Sequence, residues 1–295
     1  MIVILGPTAS GKTDGGIKLA KQVGGAVVSA DARQIYAGMN IGTATPKEAW
    51  SNKPHDVLTP DYVDSVAHYG LNIREPNDQM TLAQWQPAAF NMIDNIMADG
   101  KVPLLVGGTM LYIDSVVDNY DIPTVVPNEQ LRSKLEEKKT EVLYARLIEQ
   151  DASAKDFIEP ANKRRIIRAL EVIEATGRPF SEQRKRRTPR YDVEMIGVFP
   201  GWDSLRERVA WRARQMIDDG LVEETRQLQE HYGKDLSLLK TMNYSQAAAV
   251  LAGEMTEQKA MEEMIKVNMR YARRQMSWWK RRKEVRWLSS PESFF

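Results

Sequence analysis

The stretch Ile2–Leu5 (IVIL), followed by residues 6–13 (GPTASGKT), decides the fold of this chain. An apolar run, a glycine-bounded loop and a Lys-Thr pair in this order are typical of a phosphate-binding loop between a buried strand and a helix. In such a loop, successive backbone N–H groups point to one spot, and the N-terminus of the following helix adds positive charge. The stretch therefore predicts a site for a phosphate-bearing ligand.

The side chains of this P-loop have separate expected roles. Lys12 would neutralise phosphoryl oxygens, and Thr13 would offer its hydroxyl to a Mg²⁺ ion, which makes Thr13 the predicted metal ligand. A glycine turn before an ordinary helix is the other interpretation, and the preceding apolar run makes it the weaker one. All eight residues of the loop are predicted to surround the phosphates: Gly6, Pro7, Thr8, Ala9, Ser10, Gly11, Lys12 and Thr13.

The composition of the chain limits its class. A length of 295 residues suits one large domain, or one domain with an insertion. The 41 basic and 40 acidic residues nearly cancel, but residues 163–214 carry 14 basic against 7 acidic side chains, and residues 266–287 carry 9 against 1. Such segments fit a polyanion-binding surface and ordinary solvated helix faces equally well. Because there is no cysteine, disulfides, thiolate nucleophiles and Cys-based zinc sites are excluded.

The sequence also bears on location and partners. No charged and apolar leader precedes the first predicted strand, and no run approaches the length of a membrane span. We therefore expect a cytoplasmic monomer with no membrane partner.

Four short apolar runs indicate strands that are buried on both faces: residues 2–5, 26–30, 103–106 and 195–199. Helical patterns separate these runs, so the sequence predicts an α/β fold with a P-loop NTPase-like parallel sheet covered by helices. Three of the runs end in a polar or glycine cluster: GPTASGKT, SADARQIY and GGTMLY. Because ligands bind outside the carboxyl ends of parallel strands, we expect these clusters to meet at one edge of the sheet.

Between residues 120 and 189 the strand signal disappears, and charged helical sequence punctuated by prolines takes over. This predicts a helical insertion domain, residues 120–189, within a catalytic core formed by residues 1–119 and 190–295. In its second half, an apolar stripe includes Ile166 and Ile167, while the basic side chains at 163–165 and 168 face outward. Residues 184–190 (RKRRTPR) are predicted to be an exposed connection.

Two further polar residues follow predicted strands. Asp31 comes directly after the second strand, where a carboxylate could hold a metal-bound water, act as a general base or cap the next turn. Thr109 follows a glycine pair, which can mean either close approach to a ligand or only a tight turn. The residue types alone leave these alternatives open.

Five ordered motifs together resemble the tRNA dimethylallyltransferase family over nearly the whole chain. They are GPTASGKT, SADARQIYAGMNIGTATP (residues 29–46), LLVGGTMLYID (104–114), RRIIRALEVIEATG (164–177) and RYARRQMSWWKR (270–281). The resemblance implies transfer of a dimethylallyl group from dimethylallyl diphosphate to N6 of adenine 37, in tRNAs that read codons beginning with U, with release of diphosphate. It also implies that the P-loop binds the donor diphosphate, with Mg²⁺ at Thr13, and that the basic insertion grips the anticodon stem.

The resemblance carries residue roles with it. Asp31 matches the proposed general base, Thr8 and Arg212 match residues around the donor diphosphate and the transferred group, and the implied catalytic residues are Asp31, Thr13 and Arg212. The implied tRNA contacts are Asp31, Ala32, Arg33, Gln34, Thr109, Arg164, Arg165, Ile166, Ile167 and Arg168.

The sequence departs from the family pattern at several positions. Ala32 stands where the family usually has Ser, and Asn243 stands where it commonly has Gly. Gly15 and Gly16 follow the loop where helix formers are preferred, and each interior glycine costs about 1 kcal/mol relative to alanine.

Three other functions stay open at this point. A small-molecule P-loop kinase that uses ATP fits the loop alone, and a prenyltransferase acting on free adenine nucleotides would leave the basic segments without a role. A non-catalytic RNA-binding protein with the same fold would bind tRNA without dependence on the prenyl donor. Phosphate transfer, competition between AMP and tRNA, and donor dependence distinguish these functions from prenylation of tRNA.

Overall fold

The described part of the chain forms two compact units. The computed structural model describes residues 1–183 and 185–290; Arg184, in the predicted connection, and residues 291–295, at the end of the predicted core, lie outside the described residues. The larger unit contains Met1–Val117 and the described residues from Tyr191 onward, and the smaller unit is Asp118–Arg190. The sequence places these boundaries at residues 120 and 189.

The larger unit is built on a mixed sheet. Among the described residues, its strands are β1 Ile2–Leu5, β2 Gly25–Ala30, β3 Asp61–Val63, β4 Val66–Tyr69, β5 Val102–Gly107, β6 Glu194–Val198 and β7 Arg286–Leu288. They lie in the order β3-β4-β2-β5-β1-β6-β7. All neighbours are parallel except β3 and β4, which pair antiparallel at one edge, so the predicted parallel core is confirmed and carries one antiparallel edge strand.

Helices cover this sheet and form the smaller unit. The larger unit contains α1 Lys12–Val23, α2 Leu82–Ala98 and α3 Met110–Val117, and later α7 Trp202–Asp218, α8 Leu221–Tyr232, α9 Tyr244–Leu251 and α10 Glu257–Trp279; the smaller unit contains α4 Glu129–Glu136, α5 Thr140–Gln150 and α6 Lys163–Thr176. None of these described helices is both long and apolar enough to cross a bilayer.

The four predicted strands correspond to β1, β2, β5 and β6. These four strands lie next to one another in the sheet, in the order β2-β5-β1-β6. The strands that sequence reasoning missed, β3, β4 and β7, have three or four residues each and lie toward the sheet edges. Each of them includes a polar or charged residue, Asp61, His68 or Arg286, so none is a continuous apolar run such as that of β1.

Gly16 explains one departure from good helix-forming sequence. A Cβ atom at this position of α1 would lie 3.0 Å from Cγ2 of Val106, in β5. The missing side chain therefore lets α1 pack closely against the sheet directly behind the P-loop, and this contact offsets the lower helix propensity of glycine.

The long helix α10 buries an apolar stripe in the larger unit. Met269, Ala272, Met276 and Trp279 are buried in the larger unit. Gln275 is buried on the same helix, although its side chain is polar. Since a buried amide is costly without hydrogen-bond partners, Gln275 points to a specific local role.

Candidate active site

The P-loop follows β1 with a backbone that leaves no room for side chains at its first position. A Cβ atom on Gly6 would lie 2.4 Å from the carbonyl oxygen of Val198, so only glycine fits there. Gly11, with φ of 90°, lies at the N-cap of α1, and Ala9 also has a positive φ, of 63°. The guanidinium of Arg208 donates a hydrogen bond to the carbonyl oxygen of Ser10 at 3.1 Å, which ties the loop to α7.

Lys12 provides the P-loop with a side-chain ammonium group. Its Nζ donates to the carbonyl oxygen of Pro7 at 3.3 Å. Burial lowers the pKa of Lys12 to about 8; the carboxylate of Asp31 opposes this shift, and the guanidinium of Arg212 adds to it. Lys12 is therefore a cation that an anionic ligand would stabilise.

The three clusters predicted to meet at one edge of the sheet do line a single channel. Its volume is about 390 Å³. Residues 8–13 of the P-loop with Asp14, residues 31–34 after β2, Gly107 at the end of β5 and Thr109 after it all line this channel. The rest of the lining comes from residues 42–44, from residues 241–244, from Asn268, Tyr271, Arg274 and Gln275 on α10, and from Val106, Arg212 and Met216.

Thr109 fixes the turn that carries Asp31. Its hydroxyl oxygen accepts a hydrogen bond from the N–H of Ala32 at 2.9 Å, and its own N–H donates to the carbonyl oxygen of Ala30 at 3.1 Å. One carboxylate oxygen of Asp31 accepts the N–H of Arg33 at 2.9 Å. The Asp31 side chain is therefore held at the wall of the channel by its own turn and by the strand next to it.

Gln275 connects the P-loop to the glycine pair. Its Oε1 accepts the N–H of Thr8 at 2.9 Å, and its Nε2 donates to the carbonyl oxygen of Gly108 at 2.8 Å. A Cβ atom on Gly108 would lie 2.5 Å from this Nε2, so the glycine makes room for the amide. Sequence reasoning missed Gln275; the available signal was a polar residue next to the apolar stripe of α10.

Two more ionisable groups complete the site. Burial, followed by the negative charge of Asp31, raises the pKa of Tyr271 to about 12, so its hydroxyl stays protonated. Burial lowers the pKa of Arg212, and the carboxylates of Asp14 and Asp31 oppose that shift. Among the charged groups that line the channel, Lys12, Arg212 and Asp31 therefore influence one another's charges.

Asn243 occupies a backbone position that suits the glycine common in the family. Its φ of 71° is positive, and glycine adopts positive φ more readily than residues with a side chain. Its Nδ2 donates to the carbonyl oxygen of Gly42 at 2.8 Å, and its Oδ1 accepts from Nδ2 of Asn268 at 2.8 Å. These contacts of the Asn243 side-chain amide stabilise the turn at the position where the family commonly has glycine.

The predicted tRNA contacts in the smaller unit need a correction. The side chains of Ile166 and Ile167 are 0% and 4% exposed in the core of this unit, so they cannot touch a ligand. Arg168 donates to Glu171 at 2.5 Å and to the carbonyl oxygen of Val125 at 3.1 Å, which gives it a structural role. The exposed side chains of this segment are those of Arg164 and Arg165.

The channel offers oxygen ligands for a divalent cation. Thr13, Asp14 and Asp31 all line it. Within the described residues, no three histidine or acidic side chains cluster to form a protein-only metal cage. Mg²⁺ commonly binds through one or two protein oxygens plus substrate phosphates and waters, so these residues fit a cation that arrives with a phosphorylated ligand.

Comparison with known proteins adds family information to this geometry. A family model described as IPP transferase matches residues 34–282, and one described as Isopentenyl transferase matches residues 1–54. The chain is 40% identical to a tRNA dimethylallyltransferase of Streptomyces coelicolor over 98% of this chain and 90% of the relative, and 38% identical to one of Cyanothece sp. over 99% and 93%. The crystal structure of a tRNA isopentenylpyrophosphate transferase of Bacillus halodurans matches with a TM-score of 0.69, at 32% identity, over 97% of this chain and 88% of that one.

Proposed function

The chain belongs to the IPP transferase family and acts as a tRNA dimethylallyltransferase, and from this premise we propose that its channel joins dimethylallyl diphosphate to N6 of adenine 37 of tRNA. The observation that carries the proposal is that the P-loop and Asp31 line one channel. A diphosphate held by the loop and an adenine next to the carboxylate would then share the same enclosed space.

In the proposed reaction, the N6–C1 bond forms while the bond between C1 of the donor and its diphosphate oxygen breaks. The diphosphate leaves with the bonding electron pair, and Lys12, Arg212 and the N–H groups of the P-loop stabilise its negative charge. Asp31 accepts the proton from N6, whose lone pair is otherwise delocalised into the purine ring. The adenine must leave the anticodon stack to enter the channel.

Mg²⁺ is part of the proposal as a cation bound with the donor. Thr13 would hold it, with Asp14 as a nearby carboxylate in the channel. The ion would supply positive charge to the departing diphosphate. We also propose that the enzyme works as a monomer in the cytoplasm on tRNAs that read codons beginning with U.

The direct test is transfer of the prenyl group from dimethylallyl diphosphate to an unmodified anticodon stem–loop with adenine at position 37, followed by mass analysis of the RNA. We expect one added dimethylallyl group on that adenine, and none on a stem–loop with guanine there. The relatives favour this reaction over the kinase and adenine-nucleotide alternatives. Phosphate transfer from ATP, or preference for AMP over RNA as acceptor, would contradict it.

Donor binding is expected to weaken at alkaline pH. Because the pKa of Lys12 is lowered to about 8 in the free protein, this lysine loses its charge as the pH rises through that value. A bound diphosphate favours the charged form, so above pH 8 the Kd for dimethylallyl diphosphate should rise by up to about tenfold per pH unit. Calorimetric titrations between pH 7 and 9.5 would measure this slope and the accompanying proton uptake.

The matched variant for this titration is Lys12→Arg, since arginine keeps its charge throughout the range. It should show a nearly flat Kd. An equally steep rise in both proteins would assign the pH dependence to another group.

The exposed arginines of the smaller unit are proposed to bind tRNA phosphates. Arg164→Ala and Arg165→Ala should each weaken tRNA binding and reduce the slope of log affinity against log salt by about 1, because each removes one phosphate contact. Filter binding of tRNA at several salt concentrations would measure both effects. Arg226→Ala is the control, because Glu223 and Glu230 already neutralise that side chain; an equal loss there would contradict the assignment.

A further inference from the structure

A buried carboxylate behind the channel has no part in the proposed chemistry. Glu224, in the first turn of α8, is 9% exposed. Its Oε2 accepts the N–H groups of Asn40 at 3.0 Å and Ile41 at 2.8 Å. Its Oε1 accepts the N–H of Gly42 at 3.1 Å and the hydroxyl of Tyr244 at 2.7 Å. Four donors from two distant segments therefore converge on one side chain.

These two segments are walls of the channel. Residues 42–44 and residues 241–244 both line it. The amide of Asn243 donates to the carbonyl oxygen of Gly42, and a Cβ atom on Gly42 would lie 2.4 Å from the ring of Tyr244. The walls are thus in direct contact, and Glu224 supplies the shared hydrogen-bond acceptor.

The anchored loop leads to the residues next to Asp31. Gln34 donates through Nε2 to the carbonyl oxygens of Thr43 at 3.4 Å and Ala44 at 3.2 Å, and its Oε1 accepts the hydroxyl of Ser29 at 3.1 Å. Gln34 itself faces the channel, three residues after Asp31. A displacement of residues 40–44 would therefore move the hydrogen-bond acceptors that orient Gln34.

Burying the charged side chain of Glu224 costs desolvation free energy, which its hydrogen bonds must offset. Burial raises the pKa of Glu224, although the four hydrogen bonds oppose this shift. Because both oxygens accept two donors each, an amide or an apolar side chain of the same size cannot replace them without leaving buried N–H groups unpaired. The arrangement specifies the position of the loop more narrowly than packing alone would.

We propose that Glu224 is a positioning residue for the tRNA acceptor: it holds residues 40–44 against Gln34 and so sets where adenine lies relative to Asp31. The inference rests on the proposed function of the channel. The four hydrogen bonds of Glu224 go to residues 40–42 and 244, whereas the donor diphosphate is assigned to residues 6–13. A change at Glu224 should therefore lower the rate of transfer to RNA and leave the affinity for dimethylallyl diphosphate unchanged.

The test is Glu224→Gln, which places an NH₂ group against two of the four donors. We expect kcat/KM for the anticodon stem–loop to fall at least tenfold, while the Kd for dimethylallyl diphosphate, measured by calorimetry without RNA, stays within about twofold. Glu223→Gln is the matched control, since Glu223 is the neighbouring exposed residue paired with Arg226 and should leave both values unchanged.

Gly42→Ala provides a second approach, because its Cβ would push against the ring of Tyr244, which donates to Glu224, while the carboxylate of Glu224 itself is kept. The Gly42→Ala variant should show the same selective loss in kcat/KM for RNA. If Glu224→Gln does not fold, this variant tests the proposal in its place. Unchanged RNA kinetics in the folded variants would overturn the inference, as would parallel losses in donor affinity and RNA kinetics. A wild-type protein that fails to prenylate the stem–loop would instead overturn the proposed function.

Discussion

Replacing Asp31 by asparagine is expected to lower kcat for prenyl transfer by about 10²- to 10⁴-fold, the range that a positioned general base contributes. Asparagine keeps the side-chain oxygen that accepts the Arg33 N–H, so the turn should survive while proton acceptance from N6 is lost. Removing a negative charge near the bound diphosphate should leave the donor Kd equal or slightly lower. Single-turnover transfer to the stem–loop and calorimetric donor binding would separate these two effects.

Asp56→Asn is the control for this substitution. Asp56 accepts the N–H of Leu58 at 2.9 Å, in the same two-residue pattern as Asp31 and Arg33, but it does not line the channel. Its variant should retain the wild-type rate. An Asp31→Asn protein that folds and keeps more than half of the wild-type kcat would remove Asp31 from the mechanism.

The second large effect is expected for Lys12→Ala. Loss of this cation should lower kcat/KM for dimethylallyl diphosphate by about 10²- to 10³-fold, because the charge acts on the departing diphosphate in a site shielded from water. Stability should not fall with activity, since burial lowers the pKa of Lys12 and so disfavours the charged lysine in the folded protein at pH 7. Steady-state kinetics and thermal unfolding would measure the two quantities.

Lys18→Ala is the control, because Lys18 lies on the same helix with an exposed side chain. It should keep both the activity and the melting temperature of the wild type. A Lys12→Ala protein with wild-type kcat/KM would show that the ammonium group of Lys12 does not act on the diphosphate, and a large loss of stability would show a structural role instead.

Much of the candidate site could be predicted from local sequence patterns. The P-loop, Asp31 and Thr109 each follow a short apolar run, and the carboxyl ends of neighbouring parallel strands lie at one sheet edge. The rule requires no knowledge of the packing of side chains. It therefore located these three components correctly, while the short antiparallel strand β3 gave no usable pattern.

For the smaller unit, the family resemblance was less accurate than the helical periodicity of the same residues. The family resemblance carried the whole segment 164–168 as a tRNA contact, although its periodicity already marked Ile166 and Ile167 as apolar stripe residues. The buried Glu171 also engages Arg168, and its position in the core could not be deduced from charge counts. Only Arg164 and Arg165 keep exposed side chains for the proposed contact.

The sequence by itself determined the phosphate loop, the four main strands and the meeting of three polar clusters at one edge of the sheet. These follow from hydrophobic runs and glycine positions that act over a few neighbouring residues. Only the tertiary structure decided that Gln275 bonds the P-loop N–H of Thr8, 267 residues away, and that Glu224 anchors Ile41, 183 residues away. Such contacts depend on where the folded chain brings distant segments together, and no local pattern encodes that.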